Sequence, residues 1–248
     1  MAGMELLSDE GFRIDGRRPN ELRRIQCRMG VFAQADGSAY IEHGNTKVLA
    51  AVYGPHDIQG SKGRAAVHDI AFINCQYSMA TFSTGERKQR PRGDRKSQEM
   101  THHLKQTFDG AILTHLYPHS QIDIYVEVLQ SDGGNYCASV NAATLALIDA
   151  GIPMKDYVCA CSASFIDETP LMDINYTEES SATPQLIVSI LPKSEHLVFV
   201  EMNSRLHEDQ LSRVLDIAVK GCSDIYHILD RAVKEHLMEA SIPLSSDT

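Results

Sequence analysis

Residues 121–153 read QIDIYVEVLQSDGGNYCASVNAATLALIDAGIP, and the change of period inside this stretch decides the fold. From Gln121 to Gln130, the residues Ile122, Ile124, Val126 and Val128 occupy alternate positions, the pattern of a strand with one buried face. Ser131 to Asn135 holds two adjacent glycines and reads as a turn. Ala138 to Ala150 drops the alternation for small and aliphatic residues, a helix slim enough to be buried, which Gly151 stops and Pro153 keeps from resuming. Tyr157 to Ile166 is strand-like again. Strand, turn, helix and strand predict a βαβ unit around a buried helix, and so an α/β (α+β) fold.

Toward the N-terminus, Gly30 to Pro55 predicts an antiparallel meander: Val31 to Gln34, a turn at Asp36-Gly37, Ala39 to Glu42, a turn at Gly44-Asn45, then Lys47 to Tyr53. His68 to Met79 adds a strand after a polar loop at Gln59 to Arg64. From Ser97 the spacing turns helical, with Met100, Leu104, Phe108, Ile112 and Leu116 at steps of four. Toward the C-terminus, short strands at Pro170 to Ile174, Gln185 to Leu191 and His196 to Glu201 precede a long amphipathic helix from Glu208 to Met238. Its stripe of Leu211, Val214, Leu215, Ala218, Cys222, Ile225, Leu229 and Val233 keeps no strict heptad, which predicts packing on the core rather than a coiled coil. With no linker or repeat in view, the expectation is one domain over 1–248, with a core of about 16–238 and flexible tails at 1–10 and 239–248.

At 248 residues and 43% hydrophobic content the chain can bury about 70% of its unfolded surface without disulfides or metal. Cys27, Cys75, Cys137, Cys159, Cys161 and Cys222 are scattered through apolar surroundings, which fits a reducing compartment. No apolar run approaches the roughly 20 residues of a membrane span, so no membrane association is expected. The net charge of −10 argues against nucleic acid until the chain is divided. Residues 1–105 hold 16 Lys+Arg against 12 Asp+Glu, a balance of +4, whereas residues 106–248 hold 7 against 21, a balance of −14. Arg87, Lys88, Arg90, Arg92, Arg95 and Lys96 crowd between Thr84 and Lys96. Because charges are screened beyond about 8 Å, acidic residues on a distant face would not cancel this patch. It reads either as a polyanion site or as a solvated loop tip.

Several chemical motifs are weak. Gly54 to Lys62 (GPHDIQGSK) has the wrong spacing and the wrong Ser/Lys order for a phosphate-binding P-loop. Cys159 and Cys161 share a strand face but lack a second ligand pair, and His102-His103 are about 100° apart on a helix, so no metal centre is expected. Asn175-Tyr176-Thr177 matches a glycosylation acceptor by chance composition alone. The turn Asp132-Gly133-Gly134-Asn135 carries more. Glycines at a helix N-terminus let backbone N–H groups approach an anion, although the same residues also suit a plain tight turn.

GRRPNELRR (Gly16 to Arg24), ADGSAYIEHGNTKVLAAVYGP (Ala35 to Pro55), FSTGER (Phe82 to Arg87) and LQSDGGNYCASVNAATLALIDAGIP (Leu129 to Pro153), in this order, resemble the RNase PH family in its branch of exosome ring subunits. The resemblance covers Gly16 to about Leu237. It implies an RNase PH fold with a ribosomal-S5-domain-2-like βαβ architecture, mixed sheets packed with helices, and a long C-terminal helix. It also implies a place in a hetero-hexameric ring of RNase PH-like exosome subunits, with S1/KH-type cap subunits and an associated hydrolytic nuclease, around a channel for single-stranded RNA. The expected setting is nucleus, nucleolus and cytoplasm, in rRNA processing and in mRNA and noncoding RNA decay.

Active members of the family follow the glycine turn with Ser or Thr and then Arg, which bind the attacking phosphate. Here those positions, after Gly133 and Gly134, are Asn135 and Tyr136. Active members also place an acid about a dozen residues beyond the Asp that matches Asp173. An ungapped count lands on Gln185, with Glu179 the nearest carboxylate. The resemblance therefore implies a degenerate site with no catalytic residues and no cofactor, the alternative being an active phosphate-dependent 3′-to-5′ exoribonuclease. Arg95 and Lys96 match an RNA-contacting Arg pair, Lys62 and Arg64 fall in the loop lining the channel neck, and Arg87, Lys88 and Arg92 extend the expected RNA surface.

Overall fold

A computed structural model describes residues 6–8, 10–57, 70–87, 94–166, 168–181 and 183–241. Its first sheet has five strands in the order β1-β2-β3-β5-β4, where β1 is Ile25–Met29, β2 Gly37–His43, β3 Thr46–Asp57, β4 Phe72–Met79 and β5 Ser120–Gln130. All neighbours are antiparallel except β4 and β5, which are parallel. A parallel pair needs a crossover of a dozen residues or more. Helix α1 (Arg95–Ala111) supplies it, packing on β4. The second sheet has the order β7-β6-β8-β9, all antiparallel, with β6 Cys159–Ile166, β7 Thr169–Met172, β8 Gln185–Leu191 and β9 His196–Met202. Helix α4 (Glu208–Ser241) packs on β6, β7 and β8 and reaches β1.

Helix α2 (Asn135–Asp149) joins the two halves, touching β2, β3 and β5 on one side and β6 on the other. Its run from Tyr136 to Leu147 is buried throughout, which is why its residues are mostly small. Even its polar positions are used. Strand β7 reaches β6 only from Ala163 onward, leaving earlier β6 backbone without a strand on that side. Asn141 donates to Ala160 O at 3.1 Å and accepts from Ala160 N at 2.9 Å, and Thr144 donates to Val158 O at 2.8 Å. Side chains of a helix thus complete a sheet edge that would otherwise hold unsatisfied groups.

The expected mixed sheets, packed helices and long C-terminal helix are present, but five local expectations need correction. The βαβ unit is β4-α1-β5, because β5 and β6, the strands flanking α2, lie in different sheets. The first strand of the meander is Ile25–Met29, not Val31 to Gln34: Gly30 takes φ 65° and turns the chain, leaving Val31 and Phe32 exposed. The α1 stripe overruns its helix, which ends at Ala111, so that Leu116 is exposed in a short 3-10 turn. Helix α2 starts three residues earlier than Ala138, and α4 continues through residues 239–241, which were expected to be tail. A one-turn helix, α3 (Tyr176–Ser180), was not expected at all. All six cysteines are free, and five are buried. No helix among the described residues is long and apolar enough to cross a membrane.

Candidate functional site

The glycine turn is a junction where four distant segments meet. Gly133 and Gly134 both take left-handed conformations, with φ 81° and 63°, and Gly134 is the N-cap of α2 without any side-chain cap bond. The first helical bond of α2 runs from Ala138 N to Gly134 O, so the N–H groups of Asn135, Tyr136 and Cys137 have no partner within the helix. Gly133 is required twice over. Besides its positive φ, a Cβ there would lie 2.6 Å from the Asn175 carbonyl carbon and 2.7 Å from Tyr176 N.

What brings Asn175 so close is a buried polar network. The Arg23 guanidinium grips the Asp173 carboxylate (Nε–Oδ2 3.0 Å, Nη2–Oδ1 2.7 Å) and donates to the Asp132 carbonyl at 2.9 Å. Thr46 Oγ1 donates to Gly133 O at 2.8 Å, Tyr176 N donates to Asp132 O at 3.0 Å, and Asn45 Nδ2 donates to Asp132 Oδ2 at 3.0 Å. Asp173 also bonds His43 Nε2 at 2.9 Å and accepts from Arg23 N at 2.8 Å. Burial by itself would raise the Asp173 carboxyl, but His43 and Arg23 outweigh it and hold the group well below the usual carboxylate range. Beside this lies a second buried pair. Arg13 clamps Glu178 through both nitrogens of its fork and donates to the carbonyls of Met172 and Asp173 at 2.6 and 2.8 Å. Glu178 in turn completes a capping box with Asn175 that starts α3.

The expected site residues Gly133, Gly134, Asn135, Tyr136, Glu179 and Gln185 do converge around this junction. Asn135 Nδ2 donates to Ser131 Oγ at 2.8 Å. The side chain of Tyr136 is buried, its hydroxyl bonded to Thr107 Oγ1 at 2.7 Å and its ring 5.1 Å from that of Phe199. Burial pushes the Tyr136 phenol up, so it stays a neutral hydroxyl. Gln185 Nε2 donates to Glu179 O at 3.4 Å, tying β8 to α3, while Glu179 itself is exposed. Among the described residues, the cation bonded to this turn is Arg23, already committed to Asp173. Asp132 and Glu179 beside it are negative, and Lys47 of β3, opposite Gln130, is a further cation close by.

Arg95 and Lys96 are exposed in the first turn of α1, and Arg87 is exposed at the end of the loop after β4. Lys62, Arg64, Lys88 and Arg92 lie outside the described residues. The α1 start is locally unfavourable: it has two cations and no acidic residue in its first turn, and its N-cap, Asp94, makes no side-chain cap bond. Cations facing a helix N-terminus cost about 0.3–1 kcal/mol each. The sequence reading singled out the turn but not the network beneath it, namely Arg13, Arg23, His43, Asp173 and Glu178. The signal was present in the charged run Gly16 to Arg24, which reads as surface by composition. Next to the turn, on its Ser131 side, an open pocket of about 470 Å³ is lined by Lys47, Phe82 to Gly85 and Leu129 to Ser131.

With this geometry in place, comparison with known proteins is informative. Residues 21–153 match the 3′ exoribonuclease family, domain 1, and residues 156–221 match domain 2 of the same family. The chain is 64% identical over 244 residues to the human exosome complex component RRP41, covering 98% of this chain and 99% of that protein. It is 40% identical over 237 residues to exosome complex component Rrp41 of Thermococcus kodakarensis, covering 96% and 94%. Among solved structures it resembles rice Rrp46 (TM-score 0.81, 23% identity, 90% and 100% covered). It also resembles a chain of the Archaeoglobus fulgidus exosome with RNA bound to the active site (TM-score 0.76, 19% identity, 88% and 92% covered). At these identities the two structures speak for the fold.

Proposed function

The chain belongs to the RNase PH family of 3′ exoribonucleases, and we propose that it acts there as a non-catalytic ring subunit of an RNA exosome, building part of a central channel and guiding single-stranded RNA. The observation that carries the loss of catalysis is Tyr136. At the position where a phosphate ligand is needed, its side chain is a neutral phenol bonded to Thr107 and buried against Phe199. Gln185 cannot deliver a proton. A hydrogen bond to a charged group is worth about 1.5–3 kcal/mol and a positioned general acid about 100- to 10,000-fold in rate. Lacking both, and with Asp132 and Glu179 repelling an incoming anion, the turn supports no useful phosphorolysis.

The RNA path on this reading is Arg87, Arg95 and Lys96, extended by Lys62, Arg64, Lys88 and Arg92. Cations along the phosphates with few base contacts suit threading without regard to sequence. RNase PH-like ring partners, S1/KH-type caps and a hydrolytic nuclease complete the assembly, in nucleus, nucleolus and cytoplasm. The second reading, an active phosphate-dependent exoribonuclease, is favoured by the start of α2, whose N-cap Gly134 makes no side-chain cap bond, since the N-terminal N–H groups of a helix suit an anion. The deciding experiment incubates the ring, without the hydrolytic nuclease, with an RNA oligomer and inorganic phosphate. Intact RNA is expected. Nucleoside diphosphates that disappear on replacing Asn135 and Tyr136 by Ala would establish the second reading instead.

A further inference from the structure

We propose that Glu99, His103 and Glu201 form a binding site for a divalent transition-metal ion of the zinc class, where α1 meets the edge strand β9. Glu99 and His103 are four residues apart on α1 and therefore share a face one turn apart. Glu201 arrives from β9, which packs against that helix. One ligand atom from each of the three lies within 4.8 Å of the others. His103 Nδ1 and Glu201 Oε2 are 3.3 Å apart. That separation matches the edge of a tetrahedron with metal–ligand bonds of about 2.0–2.1 Å. Two ligands therefore already stand at zinc spacing, and Glu99, on the exposed side, has the rotamer freedom to close the third position.

A second observation points the same way. His103 Nδ1 and Glu201 Oε2 are both shielded from solvent, and apart from their 3.3 Å approach to each other, an ion pair only when the imidazole is protonated, neither has a hydrogen-bond partner among the described residues. With no proton between them, two ligand-type atoms face each other across the gap an ion would fill, and a buried polar atom left unsatisfied costs about 1–3 kcal/mol. The imidazole is also held in place: the Phe199 ring is 4.8 Å from it and the Tyr136 ring 6.2 Å, nearly perpendicular. One imidazole and two carboxylates, with a fourth position open to water, suit Zn²⁺. Mg²⁺, which prefers six oxygens, fits poorly.

This departs from the expectation of no metal, which considered His103 only with its neighbour His102. His102 is exposed and takes no part. The ion would tie the second turn of α1 to β9 and so brace the helix that begins with Arg95 and Lys96.

The test titrates Zn²⁺ into the full chain against a chromophoric chelator, with Co²⁺ as the spectroscopic substitute. One equivalent of Zn²⁺ is expected to bind and to raise the melting temperature, unaffected by excess Mg²⁺. The Co²⁺ form should show ligand-field bands without thiolate charge transfer. His103→Gln should weaken binding by more than about 100-fold, beyond the cost of losing an outer partner, and Glu99→Gln by about tenfold or more while melting like the metal-free wild type. Absence of stoichiometric binding, wild-type binding by either variant, or a thiolate band from the cysteines each overturns the proposal.

Discussion

Arg23 holds Asp173 at 2.7 and 3.0 Å and, with the same guanidinium, the Asp132 carbonyl at 2.9 Å, so one buried cation fixes the glycine turn to the segment that carries α3. The pair is structural. Its guanidinium is spent on Asp173 and on the carbonyls of Asp132 and Gly133, and the carboxylate is held by Arg23 and His43.

Asp173→Asn would leave Arg23 and His43 buried without their counter-charge, and removing one partner of a buried pair costs about 3–5 kcal/mol. The pH dependence has a defined sign. The folded carboxyl lies far below its unfolded value, so its stabilisation is complete above the unfolded pKa of about 3.9 and is lost as pH falls through the folded one. The stability gap between wild type and Asp173→Asn should therefore be constant from pH 7 to about 5 and shrink below about 4. Urea midpoints across that range measure it, and a gap that grows on acidification would contradict the assignment.

Gly133→Ala should destabilise far more than Gly151→Ala, although both sites take positive φ. At Gly151 nothing lies within 4 Å of an added Cβ, leaving only the left-handed strain of about 1–2 kcal/mol. At Gly133 the Cβ would meet backbone at 2.6 Å, and backbone held by Arg23 and Arg13 cannot yield cheaply. Chemical denaturation of the two variants side by side gives the comparison; equal losses would mean the Asn175 segment is not pinned.

Tyr136→Phe keeps the ring against Phe199 and removes only the hydroxyl partner of Thr107. Because Thr107 still donates to His103 O at 2.9 Å, the loss should be about 0.5–1.5 kcal/mol, read from the unfolding midpoint. RNA protection by the ring should not change. A larger effect on RNA than on stability would place Tyr136 in the RNA path.

The periods of 2 and 3.6 in the sequence located β5, α1 and α4 because each turns one apolar face to the core, whereas β8 is buried on both faces. They could not show that β5 pairs with β4 rather than β6, since pairing depends on partners distant in sequence. Val31 to Gln34 looked like a strand on propensity, and the left-handed Gly30 overrode it. Asn175 was weighed only as a glycosylation acceptor, although Asn175 and Glu178 at this spacing also spell a capping box. The turn's glycines were legible. Arg13, Arg23 and Glu178 were not, and Asp173 served only as a landmark for counting, because charged residues read as surface until a partner is placed beside them.

Arg95→Glu with Lys96→Glu should separate stability from RNA binding by moving them in opposite directions. The first turn of α1 holds these two cations against the positive end of the helix dipole, with no acidic residue in that turn and an N-cap, Asp94, that makes no side-chain cap bond. Reversal exchanges an unfavourable interaction for a favourable one, each side about 0.3–1 kcal/mol at low salt, so the isolated variant should melt at a slightly higher temperature. If these residues line the RNA path, the same change removes two phosphate contacts, weakening RNA and lowering the slope of log K against log salt by about 0.7 per contact for a single strand. A melting curve on the chain and a salt titration of RNA protection by the ring test both halves. Higher stability with an unchanged salt slope would mean that the two cations are kept for something other than RNA.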